Sequence, residues 1–109
     1  MSTPQIPKTL NVTSIEEAKK TVPDIEVVGD GNMFQLLCKA SSRSQKWMKS
    51  CKAMEISGHG CVVQVTTQQG DHVAEAVTFV PGVAVMPDVN GGRKLVSPEQ
   101  KALNEVSVV

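Results

Sequence analysis

A chain of 109 residues, 40% hydrophobic and 20% charged, has the size of one domain and is too apolar to stay disordered throughout, which excludes two separate cores and a wholly unfolded chain. Eleven Lys and Arg residues balance eleven Asp and Glu for a formal net charge of zero. No long-range field therefore draws the chain to nucleic acid or to an anionic membrane, and any such binding has to come from local clustering.

Phe34, Trp47 and Phe79 are the whole aromatic complement, so the core is expected to be built from Val, Ile, Leu, Met and Ala. Cys38, Cys51 and Cys61 are odd in number and none is close to another in sequence, which argues against a disulfide framework and for a reducing compartment, the cytoplasm by default. Met1 to Lys8 lacks the basic-then-apolar order of a secretory signal, and no apolar run reaches the length of a membrane span.

In chain order, residues 1–12 contain Pro4, Pro7 and small polar residues and read as a flexible N-terminal arm. Residues 13–97 read as a single domain and residues 98–109 as a mobile or weakly helical tail. Thr13 with Glu16, and Ser14 with Glu17, form two overlapping capping boxes that predict a short helix ending before Pro23. Ile25–Val28 and Met33–Lys39 flank Gly29-Asp30-Gly31-Asn32, the pattern of a β-hairpin. Ser42-Arg43-Ser44-Gln45 reads as another capping box, and Trp47, Cys51 and Met54 follow at the i, i+4, i+7 spacing of a helix over residues 42–54. Ser57-Gly58-His59-Gly60 would end it. From Cys61 the period changes to two, predicting a strand, a turn at Gln69-Gly70-Asp71 and a returning strand from His72 to Val80. Val83–Met86 and Arg93–Val96 make a last hairpin. Ser97 then suits an N-cap, with Pro98 at the first helical position. The expected class is α+β: a small antiparallel sheet built of hairpins with two helices packed on one face.

The sharpest departure from even charge is Lys39, Arg43, Lys46, Lys49 and Lys52, a run with no acidic residue inside it. On a helix these cations would flank the apolar stripe and face solvent, available to phosphates or to an acidic protein surface; a merely solvated face is the plainer alternative. Trp47 suits a core anchor beneath the sheet better than an exposed stacking platform in a chain so poor in aromatics. His59 joins the candidate surface from the adjoining loop. Cys51, His59, Cys61, Asp71 and His72 are zinc-ligand types, but only His59-x-Cys61 approaches ligand spacing, so no metal or other cofactor is expected. A Cys–His nucleophilic pair lacks an orienting third group, and Asp24, Asp30, Asp71 and Asp88 fall at turns or strand ends. No catalytic constellation results, and the chain is expected not to be an enzyme. Thr66-Thr67-Gln68-Gln69 leaves one face of its hairpin polar, either simply wet or joined to another copy through a sheet edge.

The segments Lys39-Ala40-Ser41-Ser42, Trp47-Met48-Lys49-Ser50, Gln64 to Gly70 and Thr78-Phe79-Val80-Pro81-Gly82 resemble small uncharacterised proteins of tailed bacteriophages and prophages. The resemblance spans the central half of the chain and implies a bacterial host cytoplasm and an accessory role. It brings no activity, ligand or catalytic residue with it.

The functional expectation is a non-enzymatic accessory protein that binds a host or phage macromolecule, not a membrane, with Lys39, Arg43, Lys46, Trp47, Lys49, Lys52 and His59 as the contact surface. The alternatives are a nucleic-acid-binding domain using the same cations on phosphates, and a nucleotide or other small-molecule binder.

Overall fold

The computed structural model describes residues 14–106, with side chains described to residue 103. Its elements run α1 (Ile15–Thr21), β1 (Gln35–Ser42), β2 (Trp47–Ile56), β3 (Gly60–Gln69), β4 (His72–Pro81), β5 (Ala84–Pro87), β6 (Arg93–Val96) and α2 (Pro98–Val106), with one 3-10 turn at Val89–Gly91. Strands β1 to β4 form an antiparallel meander in their chain order, and β5 and β6 form a separate two-stranded ribbon. Strand accounts for 51% of the structure and helix for 18%. This is a mostly β molecule, not the expected sheet with two helices on one face.

The expected helix over residues 42–54 does not exist. Ser42 Oγ does accept a hydrogen bond from the Gln45 amide at 3.2 Å, as a cap would. That bond closes the turn between β1 and β2, where Lys46 at φ 57° redirects the chain. A Ser-x-x-Gln hydroxyl bond serves a tight turn as well as a helix start, so the motif could not separate the two. Beyond the turn, β2 pairs with β3 along its whole length and with β1 from Trp47 to Ala53. The ladder bonds on both sides override a helical propensity that residues such as Met48, Lys49, Lys52 and Ala53 do carry.

The expected hairpin between Ile25–Val28 and Met33–Lys39 is also absent. Residues 25–28 form no strand, and the partner of β1 is β2. Gly29–Asn32 is instead a turn that steadies α1. The Asn32 amide donates to Asp30 Oδ1 at 2.9 Å, Asn32 Oδ1 accepts from the Ile15 amide at 2.9 Å, and Asn32 Nδ2 reaches the Glu16 carboxylate at 2.8 Å. A backbone amide bond, then Asn32, hold the Glu16 carboxyl below its ordinary pKa. Ser14 Oγ caps the helix by accepting from the Glu17 amide at 3.2 Å. The other box partner, Thr13, and the expected arm lie outside the described residues. Helix α1 buries no side chain, so it does not cover the sheet.

The cover is β5 and β6. Leu37, Ala53, Cys61, Val63 and Val85 form the buried cluster, with Cys51, Val80, Val83 and Leu95 packed against it. Leu37 belongs to a β-bulge between Leu36 and Cys38, an extra residue in β1 relative to β2. The cluster extends from the β2–β3 turn as far as Cys51. Met48, Ser50, Thr66 and Gln68 are buried on the other face, and their positions in the ladder make them direct neighbours, Met48 opposite Gln68 and Ser50 opposite Thr66. The molecule is long, with extents of 59 × 26 × 26 Å. Ten residues of β2 alone reach about 30 Å at a strand's rise. No described helix is long and apolar enough to cross a membrane.

Candidate functional site

The meander places the β1–β2 and β3–β4 turns at one end of the sheet and the β2–β3 turn at the other. The Gly70 amide donates to the Lys46 carbonyl at 2.9 Å, tying the two turns of the first end together. Arg43 and Lys46 project from this tip and are exposed. Behind them the pleat divides the remaining cations. Lys49 shares a face with Trp47 and Cys51, whereas Lys52 shares the opposite face with Met48 and Ser50, and Lys39 lies across from Ser50 on that same face. The five cations therefore ride on one hairpin but not on one surface. The amphipathic helix that would have aligned them is replaced by a blade charged on both sides.

Trp47 is not a core anchor. It stands half-buried at the first residue of β2, outside the buried cluster, and its indole Nε1 donates to Gln45 Oε1 at 2.8 Å. His59 sits in the β2–β3 turn at the far end of the sheet, separated from Lys46 by the length of β2, so it does not join the basic tip.

That far end carries an open cleft of about 310 Å³ between Glu55, Ser57, His59, Val83, Pro98 and Lys101. Sequence reasoning passed over Glu55 and Lys101, which are 46 residues apart and bear no motif. Glu55 Oε1 accepts from the Val85 amide, donor to acceptor 2.6 Å, and lies 3.4 Å from Lys101 Nζ. Through Oε1 the carboxylate thus pins β5 to β2 and draws α2 toward the sheet. Glu55→Ala is expected to cost about 2 kcal/mol, because the Val85 amide loses its partner in a buried strand, while Glu55→Gln retains an acceptor and should cost less than half of that. Paired urea melts of the two variants check this. The Lys101 bridge contributes little to the difference, since both side chains are about a third exposed, 30% and 32%.

The three thiols are free. The ladder sets Cys38 directly opposite Cys51, a proximity that their separation in sequence concealed. Burial, and secondarily the neighbouring Cys38, push the Cys51 thiol above its ordinary pKa; burial and then Glu55 do the same for Cys61, partly offset by Lys101. Both should stay protonated at neutral pH, and only Cys38 is exposed. A chromogenic thiol reagent is expected to modify Cys38 first, Cys51 more slowly and Cys61 only on unfolding. Equal rates at all three would contradict the described core.

Among the described residues, no group of three or more His, Cys, Asp or Glu side chains is placed to hold a metal ion. No curated protein and no solved structure matches the chain. A family model described as the Lockin family matches residues 6–96, and on that match over most of its length the chain belongs to the Lockin family.

Proposed function

We propose that the chain is a non-enzymatic accessory protein of the phage type, working in a bacterial cytoplasm, whose β1–β2 hairpin docks against an acidic protein surface. The observation that carries this reading is the absence of any Asp or Glu between Asp30 and Glu55, while Lys39, Arg43, Lys46, Lys49 and Lys52 all fall on that hairpin. A two-sided basic blade suits insertion into an acidic cleft. It suits a nucleic-acid backbone less well, because phosphates recur along one groove whereas these cations divide between two faces. The far-end cleft is open, and the Glu55 oxygen that lines it already accepts from the Val85 amide, which weakens the small-molecule alternative.

The test is charge reversal on the exposed part of the hairpin. Lys46→Glu with Lys49→Glu should leave the fold intact, because both side chains are exposed, and should reduce capture of the chain's partner from a bacterial lysate by at least about tenfold, as loss of charge complementarity at an interface does. Capture should survive nuclease treatment. Capture abolished by nuclease would transfer the assignment to nucleic acid, and an unchanged set of captured proteins would remove the hairpin from the site.

A further inference from the structure

Strand β4 ends the sheet, and every residue from His72 to Phe79 is exposed. Ten residues long, this edge carries Glu75 as its one acidic residue, no Lys or Arg, and proline only at its last position. Long apolar edges of this kind are normally blunted by charge, proline or a covering element, because unpaired amides and carbonyls recruit another strand. Val73, Val77 and Phe79 are 49%, 61% and 49% exposed, and they share one face of the strand with Glu75.

The phase of the hydrogen bonding fixes which groups point outward. The Gly82 amide donates to the His59 carbonyl, and these two residues continue the β3–β4 register, in which Gly60 faces Pro81 and Cys61 faces Val80. Antiparallel ladders alternate hydrogen-bonded and non-hydrogen-bonded pairs, so the even-numbered residues of β4 bond to β3. Val73, Glu75, Val77 and Phe79 then aim their backbone groups at the open edge. Pro81 shares that outward parity, which is where a strand tolerates a residue without an amide hydrogen.

We propose that this edge pairs with β4 of a second copy of the chain, antiparallel about a two-fold axis through Ala76, to form a continuous eight-stranded sheet. This register sets Val73 opposite Phe79 and Glu75 opposite Val77 in both directions, so that four hydrogen-bonded pairs satisfy all the outward amides with about eight backbone bonds. Shifting the axis to Glu75 opposes two carboxylates. Shifting it to Val77 opposes Val73 to Pro81, which has no amide to give. The Ala76-centred register also sets Val73, Val77 and Phe79 from each copy on one face, with each Glu75 lying against a valine and not against the second carboxylate, and the zero net charge of the chain raises no long-range repulsion between copies. The proposal stands independently of the basic hairpin, which lies on the opposite half of the sheet.

The full chain is examined by sedimentation across a dilution series, alone and as Val77→Pro. Proline at that outward position leaves the β3–β4 ladder intact, so circular dichroism should be unchanged while the dimer gives way to monomer. The register is tested separately in a Cys38→Ser background. Ala76→Cys sits on the axis at a non-hydrogen-bonded pair, where Cα atoms approach to about 4.5 Å, and should form an intermolecular disulfide under mild oxidation; Ala74→Cys, facing Thr78, should not. A wild-type chain that is monomeric throughout the series leaves the edge to a foreign strand and overturns the proposal. A dimer that survives Val77→Pro, or that cross-links as readily through Ala74→Cys, overturns it as well.

Discussion

Replacing Gly60 by alanine is expected to destabilise the fold by on the order of 3 kcal/mol, a large share of what a domain of this size has to lose. Gly60 begins β3 at φ +147°, and a Cβ built there would lie 2.3 Å from the Val80 carbonyl oxygen and 2.8 Å from the Pro81 Cα. Both are backbone atoms of the neighbouring strand, so no side-chain rotation relieves the contact and the start of the β3–β4 ladder has to part. Gly58, two residues earlier at φ +80°, has open space around its missing side chain. Gly58→Ala should therefore cost only the conformational term, about 1 kcal/mol. A thermal melt of the two variants side by side separates backbone collision from simple left-handed strain.

Truncating Leu37 to alanine should cost about 3 kcal/mol, within the usual range for removing a buried leucine from a packed core. Leu37 is 7% exposed within the cluster of Ala53, Cys61, Val63 and Val85. It reaches that cluster because of the bulge that interrupts the register of β1 against β2. Leu36, 8% exposed, is as well buried but lies outside the cluster. Leu36→Ala should cost distinctly less, and a larger loss at Leu36 than at Leu37, measured in urea, would place the bulge or the core on the wrong side.

The second half of the fold is legible in the sequence because its signals agree with one another. Alternation from Cys61 onward, the Gly70 turn and the Ser97-Pro98 helix start each carry local chemistry that tertiary structure has no reason to overrule. The Ser97 hydroxyl does accept from the Gln100 amide at 3.1 Å. Residues 42–54 are the opposite case. Trp47, Cys51 and Met54 satisfy a helical period, yet in the strand Trp47 and Cys51 share one face and Met54 takes the other. One apolar stripe over a short window fits both periods. Only the pairing partners decide between them, and those are β1 and β3 on either side. Burial then follows the cover more than the strand's own alternation: Met48 and Ser50 are buried on one face and Ala53 on the other, so no simple two-residue period was there to be seen. The error carried into the site. The cations are clustered in the sequence, but a common face for them depends on a helix, and a pleated strand divides them. His59 and Trp47 likewise proved to lie at opposite ends of β2. Glu55 and Lys101 were invisible because their meeting is a product of the meander and not of any spacing.

The β1–β2 hairpin is a strand-built basic blade, and the proposal is that it recognises an acidic protein surface. Titrating the isotopically labelled chain with an acidic peptide, and following backbone amide resonances by NMR, tests both halves of that statement at once. Strand-type shifts and slow exchange along Trp47–Ile56, with peptide-induced changes concentrated on residues 39–52 and suppressed by added salt, are the predicted result. Helical shifts over residues 47–54, or changes that bypass the hairpin in favour of β5, β6 and α2, would contradict it.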